Sequence, residues 1–154
     1  MFLVADVSNP AELQVVGEVF LPDIIQGVAV FGSYAYVADD GGLRVIDVST
    51  PASPVEVGFM DTPGWARGVA VSGSYAYVGD SFSGLQVIDV STPVNPIEVG
   101  FVDTPGSVSG VAVSWRHVYV TEPGHGLEIF SPSSCPGYVP TGPSPRRATG
   151  RRTP

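Results

Sequence analysis

The feature that most constrains this chain is an internal repeat of 41 to 42 residues. Two motifs recur: Gly-Val-Ala-Val, which starts at Gly27, Gly68 and Gly110, and Val-Ile-Asp-Val-Ser-Thr-Pro, which starts at Val45 and Val87. The two full units, 27–67 and 68–109, are identical at 29 of 41 aligned positions. A chain that repeats itself this closely is expected to stack copies of one supersecondary unit.

Each unit predicts four short β-strands. In the first full unit the segments rich in Val, Ile and Tyr are 28–31, 34–38, 43–48 and 55–60, and these residue types favour strands. Gly32-Ser33 fits a two-residue hairpin turn, in which Gly supplies the positive φ. Pro in the connection before the fourth strand cannot continue a ladder. The repeats show no helical period, and 34 of the 154 residues are Gly or Pro, which argues against a helical bundle.

Four strands in about 42 residues is the size of a β-propeller blade, whose two apolar faces are buried by radial stacking. The predicted fold is therefore all-β: a partial β-propeller of four-stranded antiparallel blades, followed by a disordered tail. A β-solenoid is the main alternative, but its repeats are usually shorter and lack this rhythm of four strands.

The segment Leu-x-Val-Ile-Asp-Val-Ser-x-Pro, at 43–51 and 85–93, carries a family resemblance. Following a Tyr-Val-Ala-Asp strand, it resembles the LVIVD-repeat family of β-propeller proteins, which are mostly bacterial and archaeal and often exported or at the cell surface. Partial matches lie at 2–10 and 127–130. The resemblance implies a propeller and an extracellular or cell-surface parent protein, and it carries over no catalytic residue. The chain's own N-terminus does not have the pattern of a signal peptide.

The repeat divides the chain into five segments. They are a partial blade of third and fourth strands at 1–26, blades at 27–67 and 68–109, a partial blade of three strands at 110–130, and a disordered Pro- and Arg-rich tail at 131–154. Closed propellers usually have 4–8 blades. We therefore expect a fragment of a longer protein, with several chains completing one ring as the alternative. Open blade edges are expected to self-associate. The tail fits a linker, a basic arm or a shifted reading frame.

Charge and composition exclude several classes of function. Residues 1–130 carry all 15 acidic residues and three Arg, a net of −12, while the other four Arg lie in the tail. Such an acidic body repels phosphate, so no nucleic-acid partner is expected. No apolar run reaches the ~20 residues of a membrane span. Cys135 is the only cysteine, and neither a calcium-loop motif nor spaced zinc ligands occur, so no metal or cofactor is predicted.

Propeller topology places the connections between blades and those between second and third strands on one face. The candidate binding residues on this acidic face are Asp39, Asp40, Asp61, Trp65, Arg67, Asp80, Asp103, Glu122 and His125. They predict recognition of a cation or a basic peptide, with a protein or glycan as the partner. The alternative is that these acids only stabilise turns through hydrogen bonds to the backbone.

Two sets of recurrent positions predict structural roles. The aspartates before each Ser-Thr-Pro or Ser-Asn-Pro turn are expected to accept hydrogen bonds from the turn backbone: Asp6, Asp47 and Asp89. The tyrosines in the second strand of each unit are expected to pack between blades: Tyr36, Tyr77 and Tyr119. Trp115 stands where the other units have the Gly of the hairpin turn.

The predicted function is a non-catalytic interaction module from an exported or surface LVIVD-repeat protein, so we expect no enzyme activity. Near-identical blades favour a scaffold, because an active site needs residues that differ between blades. One alternative is a fragment of a hydrolase or lactonase-like enzyme with an acidic funnel. Another is a truncated reading frame without function.

Overall fold

The computed structural model describes residues 1–131, and within them every regular element is a β-strand. The strands are β1 (Phe2–Asp6), β2 (Gln14–Val19), β3 (Ile25–Phe31), β4 (Tyr34–Asp39), β5 (Gly42–Asp47), β6 (Val55–Asp61), β7 (Gly68–Ser72), β8 (Tyr75–Gly79), β9 (Leu85–Asp89), β10 (Ile97–Val102), β11 (Gly110–Ser114), β12 (His117–Glu122) and β13 (Gly126–Phe130). Apart from Ser131, the segment predicted as a tail lies outside the described residues.

The strands form four antiparallel sheets in which sequence neighbours pair. Their orders are β1-β2, β3-β4-β5-β6, β7-β8-β9-β10 and β11-β12-β13. Each four-stranded sheet is one full repeat, and we call β3–β6 the first blade and β7–β10 the second blade. The first sheet, β1-β2, has two strands, and the last sheet, β11–β13, has three and is called the third blade. The all-β prediction with four-stranded antiparallel blades is confirmed.

The first strand of the first blade is longer than its sequence pattern predicts. β3 starts at Ile25, three residues before the predicted Val28, and its register against β4 shifts between Ile25 and Gly27. Such a bulge adds one residue to the strand, so the side chains before and after it no longer alternate in step. Because the alternating apolar pattern is broken at the bulge, the sequence indicated a shorter strand.

Adjacent sheets pack face to face. From the first blade Tyr36, Leu43 and Val45 are buried in one cluster with Val78 and Ile88 of the second. On the opposite face of the first blade Ala35, Val37 and Ile46 cluster with Leu21 and side chains of the β1-β2 sheet. The middle strands β4 and β5 are therefore buried on both faces. Full burial of a Leu, Ile or Val side chain contributes about 1.5–3 kcal/mol, so this stacking supplies most of the core.

The recurrent tyrosines occupy two different environments. Tyr36 and Tyr77 belong to the first–second and second–third blade clusters, respectively. Burial, with a smaller contribution from Tyr34, raises the pKa of Tyr36. Tyr119 alternates along β12 with Val118 and Val120, which face the second blade. Tyr119 therefore lies on the outer face of the last sheet, beside the His117 ring at 6.4 Å between centroids.

A glycine in the fourth strand lets neighbouring blades approach closely at their outer edge. A Cβ atom on Gly58 would lie 2.1 Å from the carbonyl oxygen of Pro93 in the next blade. A Cβ atom on Gly17 would lie 2.0 Å from the carbonyl oxygen of Pro51. The recurrent Val-Gly pair of the fourth strand thus has a packing cause.

Both ends of the described arc expose apolar surface. Val28 and Val30 pair with Val37 and Ala35, so they share the face that packs on the first sheet. They are nevertheless 55% and 65% exposed, because that first sheet has only two strands, which cover β4 and β5. The last sheet exposes Leu127 and Ile129 in the same way.

Candidate loop-face binding site

The predicted site residues lie on one edge of the arc, which we call the loop face. Because successive strands are antiparallel, this edge collects the connections 20–24, 40–41, 62–67, 80–84, 103–109 and 123–125. The structure leaves Asp61, Trp65, Asp103 and His125 exposed and Asp40 and Arg67 half-buried. It buries the remaining three, Asp39, Asp80 and Glu122. Each of these three acids ends the second strand of a sheet or directly follows it.

In the first blade the buried acid is neutralised by an arginine. The Arg44 guanidinium contacts the Asp39 carboxylate through Nε, Asp23 through Nη2 at 2.6 Å and Glu56 through Nη1 at 2.9 Å. It also lies 4.5 Å from the Phe59 ring centroid. Burial acts to lower the pKa of Arg44, but the hydrogen bonds to Asp39 and Glu56 outweigh it and the pKa is raised.

Asp39 is further committed to the turn that follows it. Its Oδ1 accepts hydrogen bonds from the backbone N–H groups of Gly41 at 2.9 Å and Gly42 at 3.0 Å. The neighbouring Asp40 accepts one from the Gln26 side chain at 3.0 Å. Asp39 thus fixes the hairpin between β4 and β5, and Asp40 ties that hairpin to β3.

In the second blade the buried acid fastens two connections together. Asp80 Oδ1 accepts a hydrogen bond from the Thr62 hydroxyl, and its Oδ2 accepts one from Gly64 N–H, both at 2.7 Å. Thr62 and Gly64 belong to the connection between the first and second blades. Asp80 therefore joins that connection to the β8–β9 hairpin.

Beside Asp80 the loop face presents two exposed aromatic rings. Trp65 is 58% exposed and Phe82 is 83% exposed. The Arg67 guanidinium lies 5.7 Å from the Trp65 ring centroid and donates to the Ser81 hydroxyl at 3.3 Å. That hydroxyl donates in turn to the Trp65 carbonyl oxygen at 3.0 Å. These hydrogen bonds connect the backbone at Trp65 with Ser81, the residue that precedes Phe82.

The sequence prediction did not include Phe82. Its signal is the one-residue difference between the repeats, because the β8–β9 connection is longer than the β4–β5 connection. A residue added at a turn projects into solvent unless it packs against a neighbour. Because Phe82 is apolar, such a projection exposes apolar surface.

In the third blade the buried acid stands without a hydrogen bond. Glu122 is 2% exposed, and neither of its carboxylate oxygens has a hydrogen-bond partner among the described residues. A Cβ atom on Gly106 would lie 3.2 Å from Glu122 Oε2 and 2.5 Å from His125 Nδ1, so these groups surround one point. Burial and then the charge of Glu122 raise the pKa of nearby Glu128, while His125 acts to lower it. Glu128 was not among the predicted site residues.

The recurrent aspartates lie at the opposite edge, away from the loop face. Asp6, Asp47 and Asp89 each accept a hydrogen bond at 2.8 Å from the backbone N–H of the serine two residues later. Together with the serine hydroxyl, this bond lowers the pKa of all three carboxyls. Asp6 is exposed and Asp47 and Asp89 are half-buried, and all three are turn acids bound to their own backbone.

The described residues, 1–131, contain neither a metal-ligand cluster nor a membrane-spanning helix. Among them no group of three or more His, Cys, Asp and Glu side chains is placed to hold a metal ion. The same residues contain no helix with the length and hydrophobicity needed to span a bilayer.

Repeated four-stranded antiparallel sheets, packed face to face with their connections gathered at one edge, define a β-propeller-type repeat protein. The sequence model of the LVIVD repeat matches residues 1–20, 24–62 and 63–104. These segments cover well over half of the chain, which therefore belongs to the LVIVD-repeat family. No curated protein is similar enough to count as a match. The second and third matched segments begin in the connection before the first strand, a few residues earlier than the units at 27–67 and 68–109.

Proposed function

We propose that this repeat module is a non-catalytic interaction domain whose loop face binds a protein or glycan partner. The observation that carries the proposal is the exposed pair Trp65 and Phe82 beside Arg67. Aromatic rings offer flat apolar contact area with few rotamers to fix, and Trp and Arg are enriched at the energetic centres of interfaces. The Ser81 hydroxyl accepts a hydrogen bond from Arg67 and donates one to the Trp65 carbonyl oxygen, so the Arg67 side chain and the backbone at Trp65 are held in place before a partner arrives.

The state of two of the three buried acids, Asp39 and Asp80, supports binding rather than acid–base catalysis. Asp39 is engaged by Arg44 and by two backbone N–H groups, and Asp80 by Thr62 and Gly64. A general acid or base must reach the proton that it transfers in a substrate. Carboxylates engaged in this way stabilise the fold and are not free to transfer protons. The exposed aromatic pair is therefore the better candidate surface for recognition.

We further propose an extracellular or cell-surface location for the protein that carries this module. The family resemblance of the repeat supports it. Limited proteolysis of intact producing cells provides the test: repeat peptides released without cell lysis are expected. Repeat sequences that stay protected until the cells are opened would contradict this location.

The proposed binding function is tested with the labelled chain on a glycan array and a peptide-display library. We expect saturable ligands whose affinity falls about tenfold or more in Trp65→Ala and in Phe82→Ala, the range of interface hot spots. Trp115→Phe is the matched control, since Trp115 is 93% exposed in a turn at the opposite edge. Ligands bound equally well by all variants would contradict a role for this face.

A further inference from the structure

The three blades share a pair of positions on the loop face, but the side chains at these positions differ in charge. The first position ends or follows the second strand: Asp39, Asp80 and Glu122. The second is the second residue of the repeated Leu-x-Val/Ile segment in the third strand: Arg44, Gln86 and Glu128. The two positions hold an acid and a base in the first blade, an acid and an amide in the second, and two acids in the third.

Only in the third blade does the buried acid lack a hydrogen-bond donor among the described residues. Asp39 has Arg44, and Asp80 has the Thr62 hydroxyl. The residue that corresponds to Thr62 is Thr104, but its hydroxyl donates to the Gly106 carbonyl oxygen at 3.1 Å. Glu122 therefore keeps two unpaired oxygens at 2% exposure.

An unpaired buried carboxylate is costly, since it has lost its water without gaining a partner. Here the cost is increased by Glu128, which is half-buried and repelled by Glu122. A cation that donates hydrogen bonds to the carboxylate oxygens would therefore stabilise this pair of acids. His125 lies nearby, but the described residues contain no group of three or more His, Cys, Asp and Glu side chains placed to hold a metal ion. A planar guanidinium fits better, because its fork of N–H groups matches carboxylate oxygens.

We propose that Glu122 and Glu128 form a binding site for the guanidinium group of an arginine side chain. The bound group takes the place that the Arg44 guanidinium has in the first blade. This inference rests on the proposed interaction function and narrows the partner to an arginine-bearing peptide. The arginine comes from a partner chain or from this chain's own 146–152 segment, which lies outside the described residues and contains four Arg.

The test titrates N-acetyl-arginine amide into the full chain, followed by NMR of the protein. N-acetyl-citrulline amide, which has the same shape without the charge, is the ligand control. We expect binding of the arginine compound alone, weakened about tenfold by Glu122→Gln and by Glu128→Gln, as for a lost charge-assisted hydrogen bond. Glu98→Gln removes an exposed charge elsewhere and is expected to bind like the wild type.

A second variant places a guanidinium group in the site itself. Glu128→Arg recreates the arrangement of the first blade, so we expect a higher melting temperature and loss of arginine-amide binding. Replacement of all four Arg of 146–152 by Gln distinguishes the sources. Tighter binding of the probe than in the wild type assigns the site to the chain's own arginines, and unchanged binding assigns it to a partner.

The proposal is overturned if citrulline amide binds as well as arginine amide, or if Glu122→Gln leaves the affinity unchanged. It is also overturned if neither the wild type nor the Arg-to-Gln variant binds the arginine compound. Trp65→Ala separates this result from the broader function. If arginine amide does not bind at Glu122 but partner binding still depends on Trp65, only the proposed arginine site is contradicted.

Discussion

At the residue scale, Trp115 has the backbone conformation least suited to its side chain. Its φ is +58°, like that of Gly32 (+60°) and Gly73 (+59°), which occupy the same hairpin position in the other blades. A left-handed conformation costs a residue with a Cβ atom about 1–2 kcal/mol. Because the indole is 93% exposed, little packing offsets that cost.

We therefore predict that Trp115→Gly raises the free energy of unfolding by about 1 kcal/mol, measured by urea denaturation. The reverse change, Gly73→Trp, is the matched control and is expected to lower it by a similar amount. A less stable Trp115→Gly protein would show that the indole makes contacts that outweigh the strain.

The turn aspartates predict a pH dependence. The pKa of Asp47 is lowered by the hydroxyl and the backbone N–H of Ser49. A depressed carboxyl pKa contributes stability above its ordinary value of 3.8 and loses it as the pH falls through the folded-state value. Asp47→Asn should thus flatten the decline of the urea midpoint below about pH 4. Asp103→Asn, at an exposed loop position, is the control, and identical profiles for the two variants would contradict the assignment.

At the scale of elements, Arg44 connects β5 with β4, β6 and the 20–24 connection. Its side chain is 8% exposed and that of Asp39 is 0% exposed, so removal of the guanidinium leaves a buried charge. We predict that Arg44→Gln costs about 3 kcal/mol of unfolding free energy. The double variant with Asp39→Asn should recover part of this loss, because the buried charge is gone.

Gln86→Ala at the corresponding position of the second blade provides the comparison for Arg44. Gln86 donates one hydrogen bond, to the Ser83 carbonyl oxygen at 2.8 Å, so a cost of only about 1 kcal/mol is expected. Equal costs for Arg44→Gln and Gln86→Ala, measured by urea denaturation, would argue against a special role for the ion pairs.

The sequence predicted the elements better than the contacts at the loop face. Strand type and order followed from the Val, Ile and Tyr segments and from Gly-Ser turns, which are local signals. The buried Asp80 accepts a hydrogen bond from Thr62, which lies 18 residues earlier in the connection between the two blades. No local pattern distinguishes an Asp that exposes its carboxylate in a turn from one that fastens two connections. The charge difference among Arg44, Gln86 and Glu128 was visible in the repeat, but its meaning required the register of the sheets.

At the scale of the whole molecule, each open face resembles one half of an interface that the arc already contains. Val28 and Val30 correspond to Val69 and Val71, which pack between the first and second blades. At the other end Leu127 and Ile129 correspond to Leu43 and Val45, which are fully buried in the same cluster. The repeat that predicted this stacking also implies that the faces at the two ends are complementary.

We therefore predict head-to-tail association of copies, with the last sheet of one copy against β3 of the next. The acidic residues oppose it, because residues 1–130 carry a net charge of −12, so added salt should strengthen association by screening. Sedimentation velocity at low and high salt measures both effects. Val30→Lys should weaken association, because it places a charge in the contact, whereas Val94→Lys, at a 66% exposed turn position, should not. A monomer at high concentration and high salt would show that these faces do not recognise each other.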